Sequence, residues 1–228
     1  LFETQYQQAL EWVEVRIGEA VRPLRLLKPA SPDSLLNDSR VLEWNRDHDY
    51  MPYWAYLWPG AFMLAEEVAG RTWRNGPRTM EIGCGLGLAG LAGLASGLRV
   101  HFTDYDATPL RLVEQSAVAN GFDRACFSTG LLDWNEPPDG RFDLILGADV
   151  TYERRLVPLV AGVLSRMLAR DGEAILASPD RSAAEGLAAA LRRLGMTLHE
   201  KRVTTRDIQS REWKGSICSI RRKEEPLP

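Results

Sequence analysis

Apolar and polar positions along the chain change period several times, and each change marks an element. Tyr6, Leu10, Val13 and Ile17 recur at helical spacing with Glu and Gln between them, which predicts an amphipathic helix over residues 4–19. Residues 21–27 read as extended, with Pro23 marking an edge strand or no strand at all. Residues 28–33 form a Pro- and Ser-bearing turn, and 39–46 a short helix. A helix is expected over 61–69. From residue 78 the pattern alternates: strand 79–82, helix 88–96, strand 99–103, helix 108–120, a weaker strand 125–128 and strand 142–146. The last of these is continuously apolar, as buried parallel strands are. Leu156, Leu159, Val160, Val163, Leu164 and Met167 form one helical stripe, and Pro158 is tolerated because it falls in the first turn. Strand 173–177, helix 183–194 and two closing strands, 197–205 and 213–221, complete the pattern. Repeated βα units predict an α/β fold with a mostly parallel sheet and helices on both faces, closed by an antiparallel hairpin. The expected division is an N-terminal appendage, residues 1–49, and a main domain, residues 50–228.

One stretch organises the rest: Glu81-Ile82-Gly83-Cys84-Gly85-Leu86-Gly87-Leu88-Ala89-Gly90. A strand enters it, alternating glycines turn it, and a helix leaves it. Glycine can take positive φ in such a turn and lets backbone approach a ligand. The helix start offers N–H groups to polar or anionic atoms. Gly90 and Gly93 let the helix lie close on the sheet. Read from Gly85, the stretch fits G-x-G-x-x-G, with Asp104 near the distance of a ribose-binding acid. This is a nucleotide-type site, and an NAD(P)-linked oxidoreductase is one reading of it.

Ligands in such sheets sit outside the carboxyl ends of the strands, so the residues there are the candidates for chemistry. Asp104 follows the second strand of the main sheet, where one carboxylate can accept from both ribose hydroxyls, while Asp106 suits the helix N-terminus. Asp133 and Trp134 follow the third strand, where an acid and an indole can read an adenine; Asp133 equally suits a turn cap. Asp149 and Tyr152 follow the fourth, facing the reacting end of a cofactor, and Asp149 also suits an N-cap of the next helix. The segment 50–60 carries Trp54, Trp58 and three tyrosines and is either core plug or site wall. Trp58 is expected beside the cofactor and Trp54 in the core.

Composition narrows this picture. The chain has 228 residues and a net charge of −3, which argues against non-specific nucleic-acid binding through a basic surface. No apolar run approaches the ~20 residues of a membrane span, and no basic-then-apolar leader pattern is present. Three scattered cysteines predict a reducing, cytoplasmic setting, and three scattered histidines give no zinc spacing.

The glycine loop, Thr103-Asp104-Tyr105-Asp106, Asn120-Gly121, Asp133-Trp134 and the run Phe142 to Tyr152 together resemble the seven-strand S-adenosylmethionine (SAM) methyltransferases that include many protein lysine methyltransferases. The segment from Pro52 to Gly60 is similar to the subgroup around the electron-transfer-flavoprotein β-subunit lysine methyltransferase and its bacterial nicotinamide N-methyltransferase-like relatives. Ser178-Pro179-Asp180-Arg181 is loosely similar to a D-P-x-R element of that subgroup. The resemblance implies a Rossmann-like seven-strand sheet and SAM as cofactor, held by Trp58, Glu81, Gly83, Cys84, Gly85, Gly87, Asp104, Tyr105, Asp133, Trp134 and Ala148. It implies Asp149 and Tyr152 as the catalytic pair and an amine nitrogen as acceptor. That acceptor is a protein lysine or, alternatively, a small molecule. No nucleic-acid or membrane partner is expected. A catalytically silent SAM-binding module is the remaining alternative.

Overall fold

The computed structural model describes residues 9–18, 22–48, 50–179 and 186–223. The first elements among the described residues are strand β1 (Leu10–Val15) and strand β2 (Leu24–Pro29), paired antiparallel as a separate two-stranded sheet. The helix expected over 4–19 is therefore corrected: its residues 10–15 are strand, and residues 1–8 and 19 lie outside the described residues. Leu10, Val13 and Ile17 fit a helical stripe, but Val13, Val15 and Ile17 fit a period of two equally well, and β-branched residues favour strand. Val15 and Ile17 are buried, whereas Trp12 faces outward under the Arg25 guanidinium, 4.9 Å from the ring centroid.

Helices α1 (Pro32–Leu36) and α2 (Ser39–His48) follow, then a 3₁₀ turn at Tyr53–Ala55 and helix α3 (Pro59–Ala69). The βα alternation then runs β3 (Arg78–Glu81), α4 (Leu88–Ala95), β4 (Arg99–Asp104), α5 (Ala107–Ala119), β5 (Phe127–Leu131), β6 (Phe142–Ala148), α6 (Leu156–Met167), β7 (Leu168–Pro179) and α7 (Leu187–Arg193). Strands β8 (Met196–Arg206) and β9 (Glu212–Arg222) close the chain. The turn expected over 28–33 is taken up by the end of β2 and the start of α1, and residues 183–185 of the helix expected over 183–194 lie outside the described residues. Two of the shifted strand boundaries have a visible cause. Strand β5 starts at Phe127 rather than 125, because residues 124–126 form a 3₁₀ turn that the Asp123 side chain caps. Strand β7 starts at Leu168, with a bulge opposite Phe142–Leu144 before regular pairing resumes at Glu173.

The seven main strands lie in the order β5-β4-β3-β6-β7-β9-β8. The first five are mutually parallel, while β9 is antiparallel to both β7 and β8. Helices α3, α4 and α5 cover one face, and α6 and α7 the other, each over its own buried cluster. The β1–β2 hairpin packs on α5: the Leu27 amide donates to Ser116 Oγ at 2.9 Å and the Arg25 amide to Asn120 Oδ1 at 3.0 Å.

Strand order reverses at β3, since β4 and β5 are laid down on one side of it and β6 and β7 on the other. The carboxyl edge at β3/β6 is thus the switch point where ligands bind in such sheets. The β8–β9 hairpin stands over the same edge. Strand β9 leaves β7 at Pro179–Gly215, yet β8 and β9 continue pairing out to Arg206–Glu212.

Candidate active site

The glycine loop joins β3 to α4 at this edge. Gly83, Gly85 and Gly87 all have positive φ, at 56°, 51° and 72°. A Cβ on Gly87 would fall 2.7 Å from a Val113 methyl, so both space and backbone angle require glycine there. Beneath the loop lies Glu81, 2% exposed, whose Oε2 accepts from the Gly90 amide at 3.0 Å. This buried carboxylate satisfies one of the orphan N–H groups of the α4 first turn from the sheet side. Gly90 makes that approach possible, since a Cβ there would lie 2.4 Å from Glu81 Oε2 and 2.3 Å from the Phe102 ring.

Asp104 ends β4 and is 9% exposed. Its Oδ2 accepts from the Gly85 amide at 2.9 Å and its Oδ1 from the Asp106 amide at 3.1 Å. The Cys84 amide donates to Thr103 O at 2.9 Å, which ties the loop to β4 a second time. Burial raises the Asp104 carboxyl to about 6, against the pull of these amides, and raises Glu81 to about 8. Burial also pushes the Cys84 thiol well above its ordinary value.

Trp134 reaches this loop from the other side. A Cβ on Gly83 would lie 3.1 Å from its indole and 3.3 Å from a Val150 methyl. Asp133 is exposed, and its Oδ1 accepts from the Asn135 amide and the Asn135 side chain, both at 2.8 Å, which makes it the cap of a turn. Tyr105 is 65% exposed beside Asp104. Ala148 ends β6, half-buried, opposite Ala177.

At the β6 end stands Asp149, buried and with φ 55°, a left-handed conformation uncommon outside glycine. Its amide donates to Ala177 O at 2.8 Å, and its Oδ2 accepts from the Gly60 amide at 2.8 Å. The expected cap of the following helix is corrected here. Asp149 serves the N-terminus of α3, because the left-handed turn sends its side chain there, and α6 has Arg155 at its N-cap position with no side-chain cap bond. Three residues on, the half-buried Tyr152 ring meets Tyr53 edge-to-face, with centroids 5.6 Å apart. Tyr53 meets Trp58 in the same way at 6.2 Å, and the Trp58 indole N–H donates to Tyr53 O at 2.8 Å. Burial, with the Glu153 carboxylate, pushes the Tyr152 hydroxyl up to about 12. It is therefore a neutral phenol at physiological pH.

The aromatic segment is thus divided: Trp54 is buried, while Trp58 and Tyr53 line the mouth. Sequence reasoning missed Tyr53, the Gly60 amide and the second role of Asp106, which it placed only at a helix start. Asp106 Oδ2 accepts from the Tyr50 hydroxyl and from Trp54 Nε1, the latter at 3.1 Å, and its Oδ1 caps α5 through the Thr108 amide at 2.7 Å. The density of aromatics in 50–58 was a signal for the first two; nothing local marks the third.

A seven-strand sheet of this order, with a glycine-bearing first turn and a buried acid ending the next strand, defines the class I SAM-dependent methyltransferase fold. Solved structures agree. The ribosomal protein L11 methylase from Lactobacillus delbrueckii superposes with a TM-score of 0.58 at 20% identity, covering 74% of this chain and 81% of that one. A TehB-like SAM-dependent methyltransferase from Corynebacterium glutamicum gives 0.55 at 16%, covering 85% and 100%. The chain belongs to the lysine methyltransferase family, which it matches over residues 39–187. It is 30% identical over 133 residues to mouse EEF1A lysine methyltransferase 3, covering 56% of each chain. It is 28% identical over 170 residues to the zebrafish protein N-lysine methyltransferase METTL21A, covering 71% of this chain and 77% of that one. A histidine protein methyltransferase 1 homolog from Dictyostelium discoideum is 32% identical over 111 residues, covering 46% and 35%. The chain thus spans about half the length of the mouse relative and a third of the Dictyostelium one.

Family and fold imply SAM as the cofactor. The residues present fit it: Gly83, Gly85 and Gly87 present no side chain at the switch point, and the neighbouring strand β4 ends on a carboxylate, Asp104.

Proposed function

We propose that this chain is a SAM-dependent methyltransferase acting on an amine nitrogen, and that the amine is a protein lysine side chain. The observation that carries this reading is the cluster of Tyr53, Trp58 and Tyr152 rings formed between the segment 50–60 and the residues after β6, where Asp149 holds the Gly60 amide one strand from the glycine loop. The family and the lysine methyltransferases among its relatives support it.

Bound SAM supplies a methyl group activated by its positive sulfur. The chain's own residues bind, align and dry the site. Asp104 accepts from the ribose hydroxyls, Asp133 and Trp134 read the adenine, and Gly83, Cys84, Gly85 and Gly87 give backbone room. Glu81 holds the loop from below, with Trp58, Tyr105 and Ala148 as flanking walls. Lysine arrives mostly as ammonium, since its reference pKa is about 10.4. Asp149 attracts and orients that cation, and the ring faces of Tyr53 and Tyr152 attract it further. Exclusion of water there favours the neutral amine, whose proton passes to solvent before the nitrogen meets the methyl. Residues 50–228 carry this activity, with 1–49 as an appendage whose β1–β2 hairpin docks on α5. Among the described residues no helix is long and apolar enough to cross a membrane. A cytoplasmic setting is part of the proposal, supported by the three free thiols.

Incubation of a cell lysate with methyl-labelled SAM and the purified chain tests the reading. Label in a polypeptide, recovered as ε-N-methyllysine after acid hydrolysis, is expected. Label confined to small molecules, or recovered as methylhistidine, overturns the assigned acceptor.

A further inference from the structure

The segment 50–60 touches both halves of the site. At one end the Trp54 backbone lies across the glycine loop, where a Cβ on Gly85 would stand 3.5 Å from both Trp54 Cα and Trp54 O. At the other, Tyr53 stacks edgewise on Tyr152, Trp58 donates to Tyr53 O, and the Gly60 amide holds Asp149. Tyr53 and Trp54 are neighbours in one 3₁₀ turn, so fixing the indole of one fixes the ring of the other.

What fixes that indole is Asp106. It is 3% exposed, and one of its carboxylate oxygens caps α5 while the other takes the Tyr50 hydroxyl and the Trp54 N–H. The Asp106 amide donates in turn to Asp104, the acid proposed for the ribose. A single three-residue turn therefore anchors the adenosine side and, 52 residues away in sequence, the acceptor wall.

We infer that Asp106 is a positioning residue for methyl transfer: it pins the segment 50–60 across the glycine loop and thereby sets Tyr53 and Trp58 against Tyr152 to receive the acceptor. The inference rests on the function proposed above. Its effect is on acceptor binding, transmitted through Tyr53, and not on cofactor affinity.

The test is a double-mutant cycle, read on the acceptor polypeptide that labelled SAM marks in the lysate. Asp106→Asn leaves a single acceptor oxygen where two oxygens now serve three donors. It should raise the acceptor KM about tenfold, the scale of a bond to a charged acceptor. The Kd of S-adenosylhomocysteine and the kcat should stay within about threefold. In a Tyr53→Ala background the same substitution should change KM less than about twofold, because the ring it positions is gone. Equal changes in both backgrounds, or a lowered Tm with unchanged KM, would mean that Asp106 is only a helix cap and would overturn the inference. Trp54→Phe keeps the ring and removes one donor, and it carries the same cycle if Asp106→Asn does not fold. Amide deuterium exchange over residues 53–57 separates this from the broader reading. Faster exchange in Asp106→Asn is expected with or without turnover, and unchanged exchange overturns the anchor. Failure of the wild-type chain to bind S-adenosylhomocysteine or label any acceptor overturns the methyltransferase reading alone.

Discussion

The two ends of the site are built differently. At the glycine loop the conformational demand falls on glycines, and the polar backbone is tied inward: Cys84 to Thr103, Gly85 to Asp104, Gly90 to Glu81. At the mouth the demand falls on Asp149, a non-glycine with positive φ, three residues before Tyr152, whose ring joins Tyr53 and Trp58 in edge contacts. A cofactor of constant shape is served by a rigid cradle. In the proposed function, an acceptor presented by another molecule meets the aromatic wall and the one strained acid. Backbone strain of this kind costs about 1–3 kcal/mol and persists only where its surroundings enforce it. Here the enforcing bonds are Asp149 N to Ala177 O and Asp149 Oδ2 to the Gly60 amide.

The sharpest way to break the comparison is to crowd the rigid end. Gly90→Val would drive its Cβ into Phe102 and Glu81, and thermal unfolding should show a loss of about 3 kcal/mol or more. A near-native Tm would mean that the cradle yields as the mouth does. Next comes Asp149→Asn. Asparagine tolerates the left-handed φ and keeps an oxygen for the Gly60 amide, so the charge alone is removed. Turnover should fall about 10²-fold, with S-adenosylhomocysteine bound within a few-fold by calorimetry. Wild-type turnover would reduce Asp149 to the cap of α3.

Asp104→Ala should weaken S-adenosylhomocysteine binding by about 1.5–3 kcal/mol. The pH dependence follows from its carboxyl being raised to about 6 in the free chain. The ionised form accepts ribose hydroxyls, so wild-type affinity should rise as pH climbs through 6 and then level off. Folding runs the other way for this group: a raised acid contributes stability that is complete below its unfolded value near 3.9 and is lost as pH rises through about 6. A flat affinity profile from pH 5 to 7 would remove Asp104 from the ribose site. The smallest effect is expected from Trp58→Phe, which keeps a ring at the mouth but removes its N–H. The tryptophan fluorescence response to cofactor should largely disappear while the fold stays intact; an undiminished response would place Trp58 in packing alone.

How much of this was legible in the chain follows from the range of the interactions. The βα units were, because strand and helix periods are local and the glycine loop concentrates its demands in seven residues. The burial of Trp54 was also anticipated. The first hairpin was not, since its apolar positions fit both periods and its docking partners, Ser116 and Asn120, are about ninety residues away. Asp149 was legible as an acid just past the end of a strand. Its service to α3 was not, because the Gly60 amide that it holds is 89 residues upstream. The Asp106 anchor is opaque for the same reason: a carboxylate at a helix start already has a sufficient local explanation.

The docking of β2 on α5 sets a timetable for synthesis. Leu27 leaves the ribosome 89 residues before Ser116, its hydrogen-bonding partner. At about 5–20 residues per second that interval is roughly 5–20 s. Throughout it Val15, Ile17, Leu24 and Leu26, all buried in the finished molecule, belong to a hairpin that lacks α5, the helix it hydrogen-bonds to. A two-stranded hairpin alone is marginal in water. The N-terminal strands are therefore the last part of this face to become permanent, although they are the first to be made. A nascent chain stalled before α5 should lose them to protease, and one stalled after it should keep them.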